Sequence, residues 1–202
     1  MLHTLLATAL VAAATDVTPV TARLDRSSTR LDTALAVPAA KRLTLDLRTG
    51  GEVKIVGSQT TVVRIRVTQD GRDCGDCGVE LQQGAEGMKI SSAQPVAGSA
   101  LRFEIEVPEQ FDLDLASTGG AIRIEGVGGT IKGATESGAL ELQRLSGDVD
   151  LQTKRGDVVL RESYVSGRVH TVGGRVLLED VSGSVTGSSA KGTVIERRVQ
   201  RG

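Results

Sequence analysis

Aromatic side chains are almost absent from this chain of 202 residues, which has one Tyr, two Phe and no Trp. A β-helical enzyme that acts on polysaccharides needs aromatic platforms for the sugar rings and a cleft of clustered carboxylates. The scarcity of aromatic residues therefore disfavours such an enzyme, which we keep as the alternative to a non-enzymatic binding module.

The chain also lacks an excess of charge of either sign. Its 24 Lys and Arg residues stand against 25 Asp and Glu residues, which leaves a formal net charge of −1 at pH 7. A nucleic-acid-binding protein normally presents a strong positive field to its ligand. The balance of charge disfavours nucleic acid and acidic polymers as partners.

Cysteine is limited to Cys74 and Cys77. In an exported chain, two cysteines three positions apart are most simply predicted to form a disulfide that pins their own turn. A zinc site needs about four ligands, and His170 is the one further soft ligand beyond the signal segment. The other alternative is a redox Cys-x-x-Cys motif. Such a motif needs a helix N-terminus that stabilises the thiolate, and this Gly- and Asp-rich sequence does not predict one. We predict no metal and no cofactor.

Long apolar runs are missing except at the N-terminus, where residues 1–14 read MLHTLLATALVAAA. The run ends in three alanines of the kind that signal peptidase cuts, and it is too short to span a bilayer. The alternative is a buried N-terminal helix. We predict a signal peptide at 1–14 and a linker at 15–30. The mature chain would then have no transmembrane segment and would lie in the periplasm or outside the cell.

Glycine, in contrast, is abundant and periodic. Five of the 25 glycines follow one another at intervals of 18 residues, with apolar residues two and usually four positions later: Gly120, Gly138, Gly156, Gly174 and Gly192. A second glycine of each repeat again precedes an apolar residue by two positions: Gly129, Gly147, Gly167 and Gly183. Alternation of this kind predicts two short strands per coil, with equivalent residues stacked about 4.8 Å apart. The sequence therefore predicts an all-β fold, a β-solenoid with 18-residue coils.

The repeat also appears much earlier in the chain. Residues Thr49–Gly57 copy Thr118–Gly126, and a less regular middle, residues 68–107, separates the two copies. We predict one domain over residues 31–202, with regular coils from about residue 111.

The order of these parts resembles a known family. A Leu-x-Leu strand leads into Gly-Gly-x-Val-x-Ile, a strand follows at Phe103–Pro108, and tandem Ser-Gly-x-Val-x-Leu copies complete the chain. This order is similar to that of the bacterial putative-adhesin domain family of β-strand-repeat proteins, over about residues 30 to 199. The resemblance implies an exported or envelope-associated, non-enzymatic solenoid, a right-handed single-stranded β-helix, and supplies no active-site residues.

One row of side chains resembles a catalytic triad on paper. Counting three positions from the second glycine of each repeat places Asp150, His170 and Thr186 side by side. Catalysis would also need an oxyanion hole and a cleft that excludes water, whereas the face of a solenoid is flat. We interpret the row as exposed polar residues and predict no catalytic site.

Calcium coils of the repeat-in-toxin kind also have 18 residues, with an aspartate in every turn. Here the turns contribute Asp148 and Asp157, too few for a ladder of calcium sites.

Apolar residues also stand at outward positions, in a row formed by Val159, Leu177 and Ile195. Exposed apolar residues in a row suggest a contact surface; the alternative is that the N-terminal segment or a twisted register covers them. The one tyrosine, Tyr164, is predicted to lie on a bulge formed by a two-residue insertion. We predict a contact face of these four residues for an envelope or surface protein or polymer, and self-association through it is possible.

Overall fold

The computed structural model describes residues 31–38, 40–73, 77–92 and 101–202. The predicted signal peptide and linker lie outside these residues. The described chain is all-β and its strands form one 17-stranded sheet, which confirms the predicted fold class at this level. Within these ranges we find no helix with the length and apolar character that crossing a bilayer requires.

The strands are numbered in chain order. The first nine are β1 Leu31–Ala36, β2 Arg42–Leu47, β3 Glu52–Ser58, β4 Val62–Gln69, β5 Arg72–Asp73, β6 Val79–Gly84, β7 Gly87–Ser92, β8 Leu101–Pro108 and β9 Asp112–Ser117. The other eight are β10 Ile122–Glu125, β11 Gly128–Thr135, β12 Leu140–Gln143, β13 Ser146–Thr153, β14 Val158–Thr171, β15 Val176–Ser182, β16 Val185–Ser189 and β17 Val194–Gln200.

Most strands pair in parallel in one of two series. The first series runs β8, β3, β10, β12, the start of β14, β15 and β17. The second runs β7, β2, β9, β11, β13, the end of β14 and β16. From β10 onward paired residues are 18 apart, as in Ile122 opposite Leu140. The interval predicted from the glycines is thus the register of the parallel strands.

Antiparallel strands are confined to the N-terminal part. Strand β4 pairs with β8 and β1 pairs with β4, whereas β6 and β7 form a hairpin beside β2. The irregular middle of the sequence therefore forms its own strands without separating the two copies that flank it. Val53 of the first copy lies directly opposite Ile122 of the second.

The core consists mainly of aliphatic side chains that alternate inward along both series, and together with Phe103 and Phe111 they belong to one cluster. Leu142 and Leu160 are 2% and 0% exposed, as their positions in the repeat predict. Each such side chain contributes about 1.5–3 kcal/mol when fully buried. Because one repeat alone leaves its inward face uncovered, the pairing of neighbouring repeats supplies this burial.

Close backbone contact explains the recurring glycine. A Cβ atom added to Gly138 would lie 2.0 Å from the carbonyl oxygen of Gly120, and one on Gly174 would lie 2.0 Å from that of Gly156. No side chain fits at such a distance, so any other residue would push neighbouring repeats apart.

Buried hydroxyl groups bind the glycine turns to the second series of strands. Thr153 and Thr171 are 1% and 0% exposed. The Thr171 hydroxyl donates to the carbonyl oxygen of Gly156 at 2.8 Å and accepts a hydrogen bond from the backbone N–H of Gly174 at 3.1 Å. Both hydrogen-bonding capacities of the hydroxyl are used, which makes its burial favourable.

The predicted insertion near Tyr164 is wrong. Strand β14 is continuous, and its register places Val165, not Gly167, opposite Gly147. Gly167 instead lies opposite Val149, and a Cβ there would come within 2.1 Å of the Val149 carbonyl oxygen. This coil keeps the length of its neighbours because its second glycine has moved by two positions within the strand.

Candidate functional site

Three aliphatic side chains form a row on the outer face of the first series, which we call the stripe. Val159 lies opposite Leu177, and Leu177 lies opposite Ile195. Val159 and Leu177 are half-buried, and Ile195 is 36% exposed. The same row continues in the preceding coils as Glu141 and Arg123, so its apolar part is confined to the last three coils.

Charged side chains flank the stripe on both sides. Two positions before it, Arg175 donates to Asp157 through its backbone N–H and its Nη2, each at 2.8 Å. Two positions after it, Arg161 Nε lies 3.2 Å from Glu179 Oε2. Beside Val159 and Leu177, each flank thus holds one acid and one base, and the order of the signs along the chain is reversed between the flanks. Beside Ile195 the flanks hold Thr193 and Arg197, whose Nη1 lies 3.8 Å from Glu179 Oε1.

Asp157 is a flanking acid whose pKa is shifted by its neighbours. The backbone N–H of Arg175, followed by its guanidinium, lowers the pKa of Asp157 below its ordinary value. The Asp157 carboxylate is therefore ionised at neutral pH, and the flank formed by Asp157 and Arg175 carries both charges.

Tyr164 does not join the stripe. Its side chain is 70% exposed and stands between Ser146 and Ser182 in a different row. Glu162, with a left-handed backbone (φ 49°), turns the chain between Val159 and Tyr164. The structure thus brings together three of the four residues predicted for the contact face.

The triad-like row of the sequence does not form. Asp150 lies opposite Arg168, which donates to its two carboxylate oxygens at 2.8 and 2.9 Å. His170 lies two positions further along the strand, where its Nδ1 is 2.8 Å from Ser188 Oγ. The error has the same origin as the predicted insertion, because the count started from Gly167.

The predicted disulfide is described at one of its cysteines. Cys77 is 4% exposed and disulfide-bonded. Cys74 lies outside the described residues, and its pairing with Cys77 stays a prediction. Among the residues that the structure describes, no group of three or more His, Cys, Asp or Glu side chains could hold a metal ion.

A depression of about 330 Å³ lies on the outside of the second series of strands. Its floor includes the exposed Ala116 and Ala134, where the next coils carry the longer Gln152 and His170. Lys154 Nζ and Glu136 Oε1 form a 2.8 Å ion pair at its side. The depression has the size of a small-molecule site. Sequence reasoning missed it, although the two alanines share one row.

Comparison with known proteins finds a distant likeness in structure. No protein family and no curated protein matches the chain. A solved structure described as a putative cell adhesion protein from Clostridium sporogenes ATCC 15579 is 11% identical. It has a TM-score of 0.42 and covers 83% of this chain and 99% of its own. A likeness of this degree shows no family and decides nothing about the function of this chain.

Proposed function

We propose that this protein is an exported, non-enzymatic β-solenoid that serves the cell envelope as a binding or structural module. The stripe of Val159, Leu177 and Ile195 is the observation that carries the proposal. These positions face outward, where a regular coil needs no apolar residue, and aliphatic residues opposite one another on adjacent strands mark an interaction surface.

The solenoid interpretation is supported by the two parallel series. From β10 to β16 each repeat contributes to both series, with β14 serving both as one continuous strand, and successive repeats keep the same register. The glycine turns allow the backbones of successive coils to approach closely, as at Gly138 and Gly156. A surface built in this way is long, regular and rigid, which suits recognition by contact.

The charged side chains favour contact over catalysis. Acids and bases pair between neighbouring coils, as in Glu136 with Lys154 and Asp150 with Arg168. Hydrogen bonds from these bases lower the pKa of both Glu136 and Asp150. A general acid at neutral pH needs the opposite shift, so these carboxylates are suited to a structural role.

The contact proposal is tested by replacing Val159, Leu177 and Ile195 together with threonine, a residue that suits strands. We expect the variant to keep its circular dichroism spectrum and to lose retention by immobilised envelope extract. The control replaces Ala116 and Ala134 with glutamine, the residue of the next coil, which fills the depression. Retention lost in the control and kept in the threonine variant would contradict the proposal.

The export part of the proposal rests on residues 1–14. We expect intact-mass measurement of the protein from cell fractions to show a chain that begins at Thr15 outside the cytoplasm. A cytoplasmic chain that still carries residues 1–14 would contradict export. A polysaccharide-degradation screen of the same material separates the module from the enzyme alternative, because the module releases no reducing ends.

A further inference from the structure

We propose that the stripe binds a second copy of this chain, with a two-fold axis that runs along the stacking direction of the coils. The inference rests on the proposed function in one respect, that the stripe is a contact surface. It adds a second copy of the chain as a partner of this surface and the orientation in which the two copies meet.

The axis determines which residues face one another. When it lies in the interface along the stack, each coil of one copy meets the same coil of the other. Leu177 then packs on Leu177 of the second copy, and Val159 and Ile195 also meet their own counterparts. The apolar row of one copy covers the apolar row of the other along its full length.

The same axis exchanges the two flanks. Asp157, two positions before the stripe, meets Arg161 of the second copy, two positions after it. Arg175 in the next coil meets Glu179 of the second copy. Both contacts join opposite charges, and symmetry forms each of them twice. The reversed order of signs on the two flanks is the pattern that self-complementarity requires.

The other two-fold orientation does not match. An axis along the strands through Leu177 would place Arg175 against Arg175 and Arg161 against Arg197 of the second copy. Like charges at these positions oppose association. Of the two symmetric arrangements that cover the stripe, the charges therefore favour the one whose two-fold axis runs along the stacking direction of the coils.

One like-charge contact stands at the edge of the proposed interface. Glu141, the row residue of the coil before Val159, would face its own counterpart. Arg123 Nε donates to Glu141 Oε2 at 2.7 Å within each copy, which compensates the carboxylate. Since three aliphatic side chains per copy make a small interface, we expect a weak, concentration-dependent dimer.

Charge reversal tests the arrangement on the full chain. Asp157→Arg and Arg161→Asp each place like charges across the interface, so each variant alone should sediment as a monomer at concentrations up to about 1 mM. A mixture of the two variants should form a dimer, because the reversed residue of one meets the reversed residue of the other. The double variant should also dimerise.

The matched control reverses a pair of the same kind on the second series of strands. Asp150→Arg with Arg168→Asp should leave dimerisation as in the unmodified chain. Exposed ion pairs contribute little to stability, so all variants should keep the circular dichroism spectrum of the parent protein.

An unmodified chain that stays monomeric up to about 1 mM overturns the inference. Single variants that dimerise as well as the parent, or a mixture that stays monomeric, overturn it equally. The envelope contact is scored separately by retention of the threonine variant. A monomeric parent whose retention is lost in that variant refutes the dimer alone. A dimer whose disruption leaves retention unchanged refutes the envelope contact alone.

Discussion

The two ends of the sheet bury their last layer to different degrees. At the N-terminal end the antiparallel strand β4 covers β8, and Val63, Ile65 and Phe103 are all 0% exposed. At the C-terminal end Val194 is 41% exposed, although Val176 in the same row is fully buried. Antiparallel strands thus cover one end, and among the described strands nothing covers the other.

The uncovered end carries charge at an inward position. Glu196 follows Leu178, Leu160 and Leu142 in the row that elsewhere forms the core. Arg201 Nη2 pairs with its carboxylate. Charged residues at inward positions of an edge strand oppose sheet-to-sheet association. In the described chain, antiparallel strands therefore cover the N-terminal end of the sheet, and charged residues protect the C-terminal edge strand from association.

The largest expected difference between the two regions concerns glycine. Gly156→Ala places a Cβ 2.2 Å from the Gly138 carbonyl oxygen at φ 136°, and should cost at least about 3 kcal/mol of unfolding free energy. Gly71→Ala, in the antiparallel part, has φ 76° and open space around it, and should cost about 1–2 kcal/mol. Denaturant titration compares them, and equal losses would contradict the close backbone contact between the parallel repeats.

Side-chain truncation sharpens the contrast between the interior and the uncovered end. Leu160→Ala should lower the unfolding free energy by about 2–5 kcal/mol, because the side chain is fully buried. Val194→Ala at the uncovered end should change it by no more than about 0.5 kcal/mol. Thermal denaturation of both variants measures this. A large loss at Val194 would show that the last coil is covered in solution.

Buried hydroxyls give a smaller effect. Thr171→Val leaves the carbonyl oxygen of Gly156 and the N–H of Gly174 without their partner and should cost about 1–3 kcal/mol. Thr186→Val, at an exposed position of the second series, is the control and should stay within about 0.5 kcal/mol. Chemical denaturation measures both, and the same stability for the two variants would contradict a stabilising role of the buried hydroxyl.

The smallest effect is a pH dependence. The side chain of Arg198 donates to Asp180, with Nη2 2.6 Å from Oδ2, and lowers the pKa of the Asp180 carboxyl. The contribution of this pair is present above the unfolded-state pKa of about 3.9 and is lost as the pH falls through the lower folded-state value. Asp180→Asn tolerates the same left-handed backbone (φ 54°) and should flatten the acid limb of the stability curve. An unchanged acid limb would contradict the pairing.

The register of the strands could be predicted from the sequence where a single physical constraint requires one residue type. Gly138 and Gly156 must be glycine because of the carbonyl group below each of them, so their spacing gives the register of the first series directly. Gly167 misled the count because a glycine can occupy more than one position in a strand. Its true place depends on hydrogen bonds to the neighbouring coils.

The candidate site, like the fold, could be predicted only in part from the sequence. The stripe followed from the first glycine of each repeat, and the structure keeps its three residues in register. The role of Asp157 and Arg161 as oppositely charged flanks could not be predicted from the sequence. It depends on which residues of the neighbouring strands lie beside them. The depression over Ala116 and Ala134 arises from missing side-chain volume, which leaves no motif in the sequence.

The contact role of the stripe is tested most directly by methyl NMR during titration with envelope extract. We expect the methyl signals of Val159, Leu177 and Ile195 to broaden first, because these side chains form the contact surface. The methyl signals of Ala116 and Ala134, in the depression, should stay sharp at the same additions. Broadening that begins at the two alanines, or that spreads evenly over all methyl groups, would contradict the stripe as the contact face.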